Sequence, residues 1–124
     1  MMRRSALSCA AMIALLIPTV ATIGCHSAHV ESTVENRTGE AIQQIEVDYP
    51  SASFGVNALA AGAQFHYRIQ LQGNGPMKVQ YAGRDGQVIH IEGPTVAEPQ
   101  EGSLQIVLLP EGKAEFIPSL TSRR

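Results

Sequence analysis

Seven polar side chains, His66, Arg68, Gln70, Lys78, Gln80, His90 and Glu92, are the residues of this chain whose types and spacing could do chemistry. Each alternates with apolar residues within AQFHYRIQLQ (63–72), MKVQYA (77–82) or QVIHIE (87–92). Successive side chains of a strand point to opposite faces, so the set is expected on the wet face of one sheet. Imidazole, guanidinium, ammonium, carboxylate and amide groups on a flat face suit hydrogen bonding to a glycan or to the acidic patch of a partner. They do not suit catalysis, because acid–base chemistry needs two groups converging on one reacting atom. The spacing sets His66 and His90 diagonally, two rows apart, and Asp48, Asp85 and Glu92 have no partner defined by spacing. No nucleophile elbow, His-Glu-x-x-His pair or phosphate loop occurs. The sequence therefore predicts no enzyme, no cofactor and no metal site. The plainer alternative for the polar set is a solvated face of mixed charge.

The elements that must position these side chains follow from the turns between them. Gly73-Asn74-Gly75-Pro76 and Arg84-Asp85-Gly86 have hairpin chemistry. Together with the alternation they predict a three-stranded meander from Ala63 to Glu92. Its register sets Tyr67 opposite Tyr81, Ile69 opposite Val79, Val79 opposite Ile91 and Tyr81 opposite Ile89. On the polar face Arg68, Gln80 and His90 then form one row and Gln70, Lys78 and Glu92 the next, with His66 beside Ala82 and Val88. A slip of one residue would reverse a whole face, so agreement between turns and pattern carries weight.

The flanking sequence supplies the other layer. Val30 to Asn36 reads as a strand, Asn36-Arg37-Thr38-Gly39 as a turn, and Ala41 to Tyr49 as a strand stopped by Pro50. Ser51 to Asn57 reads as a loop or short edge strand. Gly93 to Gly102 reads as a loop crossing between sheets. Leu104 to Leu109 is nearly continuously apolar, as in a central strand buried on both sides. Glu111 to Lys113 turns the chain into a last strand, Ala114 to Ile117. A lone sheet would leave its apolar face in water, so two sheets must pack together. The predicted fold is all-β, a small antiparallel β-sandwich of immunoglobulin-like, Greek-key type with about seven strands. It spans residues 30–118, and 119–124 form a polar tail.

The first 24 residues differ in character. Arg3 and Arg4 precede an uncharged apolar run centred on ALSCAAMIALLI, the layout of a bacterial export signal. The run ends in Thr22-Ile23-Gly24-Cys25, which resembles the lipobox of bacterial lipoproteins, with Thr22 where that family usually has Leu. The resemblance implies cleavage before Cys25 and a diacylglycerol on its thiol. It also implies the outer membrane rather than the inner, because His26 and not Asp follows. Residues 25–29 would be a short tether. Two other fates of the segment are cleavage after Ala21 or Gly24, giving a periplasmic or secreted protein, and retention as an uncleaved anchor. The mature region also resembles small β-domains of bacterial envelope proteins, through Asn36-Arg37-Thr38-Gly39, Leu59-Ala60-Ala61-Gly62 and Asp85-Gly86. That resemblance implies no functional residues.

The totals agree with this reading. The chain carries a formal charge of −2 over 124 residues, and losing the two N-terminal arginines would make the remainder more acidic. Nucleic acid, which demands a basic surface, is not an expected partner. Both cysteines, Cys9 and Cys25, precede the domain, so no disulfide closes it. The expected function is that of a membrane-anchored, non-catalytic interaction or structural module whose partners are the membrane and an envelope protein or glycan. The alternative is a secreted or periplasmic domain binding a small ligand or glycan on the polar face of 63–92.

Overall fold

Alternating apolar residues build two four-stranded sheets that bury one face each against the other. The structure is a computed structural model and describes residues 28–122. The signal segment, Cys25 and the start of the tether lie outside the described residues. The strands are β1 (Val30–Asn36), β2 (Ile42–Tyr49), β3 (Ala52–Leu59), β4 (Gln64–Ile69), β5 (Asn74–Ala82), β6 (Val88–Ala97), β7 (Gln100–Leu109) and β8 (Lys113–Ser122). A 3-10 turn, Pro110–Gly112, separates β7 from β8. The first sheet has the order β4-β1-β7-β8 and the second β3-β2-β5-β6. The fold is thus an all-β sandwich.

The core follows from parity. Val30 and Val34 of β1, Ile69 of β4, and Leu104, Ile106 and Leu108 of β7 point inward from the first sheet. Ile45 and Val47 of β2, Phe54 of β3, and Met77, Val79 and Tyr81 of β5 meet them from the second. Each such large side chain contributes about 1.5–3 kcal/mol by leaving water. β2 keeps both Ile42 and Ile45 inward by a bulge against β5, where Gln44 adopts a positive φ of 52°. β3 approaches β2 so closely that a side chain at Gly55 would meet the carbonyl oxygen of Ile45. On the far side Phe116 of β8 lies over Gly93 of β6, filling the space a side chain there would occupy.

Several expectations are corrected. β4 does not pair with β5. It pairs antiparallel with β1, so Tyr67 faces Ser32 and Ile69 faces Val30, and the meander reduces to the β5–β6 hairpin. Residues 70–73 instead cross between the sheets, with Leu71 buried and Gly73 at φ 94°. Hairpins and crossings both need such a residue, so turn chemistry alone does not separate them. β3 is a full eight-residue strand. The loop read over Gly93 to Gly102 is mostly strand, β6 running to Ala97 and β7 starting at Gln100. The polar tail begins no earlier than 123, because β8 extends to Ser122. The sandwich is not wholly antiparallel either, since β1 and β7 run parallel.

The order of elements gives the domain two unlike ends. The β1–β2, β3–β4, β5–β6 and β7–β8 connections gather at one end. Val30, the β2–β3 turn, both crossings and Ser122 lie at the other. At the loop end the side chain of Asn36, wholly buried, is an organising centre. Its amide donates to the carbonyls of Glu40 (2.8 Å), Leu59 (3.0 Å) and Ala60 (3.1 Å). Its Oδ1 accepts from the backbone N–H (3.0 Å) and hydroxyl (2.7 Å) of Thr38. At the other end the Glu98 carboxylate accepts from the N–H of Gly73, and the N–H of Glu98 donates to the Gly73 carbonyl at 3.2 Å. The two crossings are thereby clipped together.

Replacing Asn36 by Asp keeps the size and the acceptor but removes both donors, leaving buried carbonyls beside a carboxylate. Asn36→Asp is expected to lower stability by about 2–4 kcal/mol in urea unfolding at neutral pH. A loss below about 0.5 kcal/mol would contradict the role given to Asn36. Ser32 is a counter-case: its buried hydroxyl has no hydrogen-bond partner among the described residues. Ser32→Ala is therefore expected to leave the urea midpoint unchanged or raise it, and a clear fall would mean the hydroxyl is satisfied.

Candidate functional sites

Antiparallel pairing brings four of the seven sequence-selected residues together on the outer face of the second sheet. Gln80 faces His90, and Lys78 faces Glu92, as the register of the hairpin predicted. The third strand of this face is β2 and not β4, so the rows read Glu46–Gln80–His90 and Asp48–Lys78–Glu92. A shallow cleft of about 370 Å³ lies here, lined by Asp48, Lys78, Gln80, His90 and Glu92 among others. Lys78 sits between two carboxylates in register, yet no ion pair involving it occurs among the described residues. Its ammonium donors and the flanking acceptors remain open to a ligand bearing hydroxyls.

His66 and Arg68 lie on the opposite side of the molecule, on the outer face of the first sheet. Two packed sheets stand about 10 Å apart, so the two polar faces cannot share a small ligand. Gln70 joins neither, being exposed in the crossing after β4. The neighbours of His66 are not Ala82 and Val88 but residues of β1. Glu31 is the partner that sequence reasoning missed. Arg68 Nε donates to Glu31 Oε2 at 2.8 Å, and His66 Nε2 meets Glu31 Oε1 at 2.7 Å. The hydrogen bond from Arg68, then that from His66, holds the Glu31 carboxyl below the usual carboxylate range. Thr33 Oγ1 completes the group at 3.1 Å from His66 Nδ1.

A hydroxyl, an imidazole and a carboxylate in line are the parts of a nucleophilic relay. Here β1 pairs on both sides, with β4 and with β7. Its backbone N–H groups are engaged in those ladders. The group acts as a clamp between β1 and β4.

A third candidate occupies the loop end. A cleft of about 820 Å³ opens between the sheets, floored by Ile42, Tyr81, Ile89 and Leu109 and rimmed by Glu40, Arg84, Asp85 and Glu111. The Arg84–Glu40 pair spans 3.6 Å with both side chains largely exposed, a weak contact. Glu111 holds a positive φ of 66°, uncommon away from glycine. Among the described residues no group of three or more His, Cys, Asp or Glu could hold a metal ion.

No protein-family model matches this chain, and no curated protein matches it. Among solved structures it is similar to one described as the NMR structure of the protein from Eubacterium rectale. The TM-score is 0.55 at 13% sequence identity, covering 76% of this chain and 93% of that one. At that identity the likeness concerns the fold.

The Glu31 clamp generates a pH test. A carboxyl whose folded pKa is depressed adds stability above its unfolded pKa, near 4.5 here, and loses it as pH falls through the folded value. The difference in unfolding free energy between the parent and Glu31→Gln is expected to favour the parent at pH 7 and to shrink steadily in acid. Urea titrations across that range measure it. A difference that does not change with pH would exclude the carboxylate as its source.

Proposed function

We propose that this chain is a membrane-anchored, non-catalytic module of the bacterial envelope that presents its loop end to a partner. The observation that carries the reading is the polarity of the domain. Val30 follows Cys25 by five residues and starts at the end opposite the four loops. A tether of that length spans at most about 18 Å. A diacylglycerol on Cys25 would hold the domain near the bilayer with its loops directed outward. Two acyl chains suffice for durable attachment. Among the described residues no helix is long and apolar enough to cross a membrane.

A second reading has its own observation. The array of Glu46, Asp48, Lys78, Gln80, His90 and Glu92 sets donors and acceptors side by side on one shallow surface, with no ion pair within it among the described residues. In this reading the chain is a secreted or periplasmic domain that binds a glycan or small polar ligand there. Lys78→Ala and His90→Ala would each weaken that binding, and Arg68→Ala on the opposite face would not.

The intact mass of the protein processed by a bacterial host separates the two. Residues 25–124 plus a diacylglycerol are expected, and the added mass should disappear in Cys25→Ser. An unmodified mass in the parent would exclude the anchor and leave the second reading.

A further inference from the structure

We propose that the exposed edge of β3 pairs with the same edge of a second copy of this chain, joining the β3-β2-β5-β6 sheets of the two into one continuous sheet. A sandwich of two open sheets has four edge strands, here β4, β8, β3 and β6. Edge strands carry unpaired N–H and C=O groups, and monomeric proteins block them with charge, proline, bulges or brevity. β4 has only six residues and carries His66 and Arg68. β6 contains Glu92 and Pro94, and its register against β5 shifts between Pro76 and Lys78. β8 contains Lys113, Glu115 and Pro118. β3 has none of these devices. Its eight residues, ASFGVNAL, include no charge and no proline, and its register against β2 does not shift, although Gln44 and Asn57 are not paired in the ladder.

A separate observation marks the same side. Of the three tyrosines and three phenylalanines in the chain, Tyr49, Phe54, Phe65 and Tyr67 cluster at the β3/β4 side. Tyr67 stacks on Phe54 with ring centroids 4.8 Å apart and 13° between planes, yet it remains 48% exposed. An exposed stacked aromatic beside an unblocked edge is apolar surface left for a partner.

The second copy is chosen because β3 is complementary to itself. A two-fold axis at Gly55 sets the copies antiparallel. Phe54 then meets Val56 of the second copy on the inner face, and Ser53 meets its Asn57 on the outer face. Gly55 meets Gly55 on the axis, where neither copy projects a side chain. Apolar residues face apolar ones, polar face polar, and no charge opposes a like charge at any position. Tyr67 from each copy covers the seam. The pairing requires no lipid anchor and stands whether or not Cys25 is modified.

The test is the molar mass by light scattering of the host-processed protein in mild detergent. A Cys25→Ser arm removes any association through acyl chains. The parent is expected to show a two-copy mass that falls to one copy over about a thousandfold dilution. S53K with N57K opposes like charges at both ends of the seam and is expected to raise the dissociation constant at least about tenfold. S53K with N57E opposes unlike charges at the same places and is expected to restore the two-copy species. Both positions are exposed, so urea midpoints measured at dilutions where every variant is one copy should stay near the parent's. A one-copy mass for the parent at every concentration overturns the proposal. So does equal behaviour of the two double variants, because the register demands that they differ.

Discussion

Two sheets packed face to face are held mainly by apolar contact, which resists separation but has no direction of its own. In this domain the amide of Asn36 supplies direction. Asn36 ends a strand of the first sheet, and its donors reach Leu59 and Ala60, where a strand of the second sheet ends. Its backbone also donates to Ala63 and accepts from Gly62. One residue thus fixes the β1–β2 and β3–β4 connections relative to each other. Both sides of the loop-end cleft depend on that spacing. With no disulfide in the folded region, no covalent link replaces it. The mutual bonds of Gly73 and Glu98 do the corresponding work at the far end, where the chain changes sheets twice.

Much of this architecture was legible in the sequence wherever one physical signal decided the outcome. The β5–β6 hairpin is such a case. Alternation and the Asp85-Gly86 turn jointly specify Val79 against Ile91 and Tyr81 against Ile89, and those pairs form. The strand Ala63 to Gln72 was legible as a strand and not in its partner. β1 offers Val30, Ser32 and Val34 at the same parity as Ile69, Tyr67 and Phe65, so the match is as good as the match with β5. Nothing local chooses between them. β3 was obscured because Gly55 interrupts its pattern and Asn57 and Ala58 are exposed in succession. The end of β8 was obscured by Pro118, which stops a central strand but is tolerated on an edge, where its missing N–H can face water.

The candidate sites inherit that ambiguity. Lys78, Gln80, His90 and Glu92 were grouped correctly because both of their strands belong to one hairpin. His66 and Arg68 were separated from them when β4 joined the other sheet. Each face then acquired carboxylates whose parity was visible all along: Glu46 and Asp48 on β2, Glu31 on β1. What the sequence lacked was strand order, and strand order decides which acid meets which base. The result is one open polar array and one closed ionic clamp where a single mixed surface was expected.

The parallel run of β1 beside β7 has a mechanical consequence. A load applied between Val30 and the loop end acts along the strand axes. β1 is bonded along its length to β4 and to β7, so such a load shears both ladders at once and does not peel them one bond at a time. Val30 and Leu120 lie at the same end, so tension between these two residues would instead act across the strands and open β8 from its free edge. The domain is therefore stiff in the direction that runs from Val30 to its loops and compliant between Val30 and Leu120.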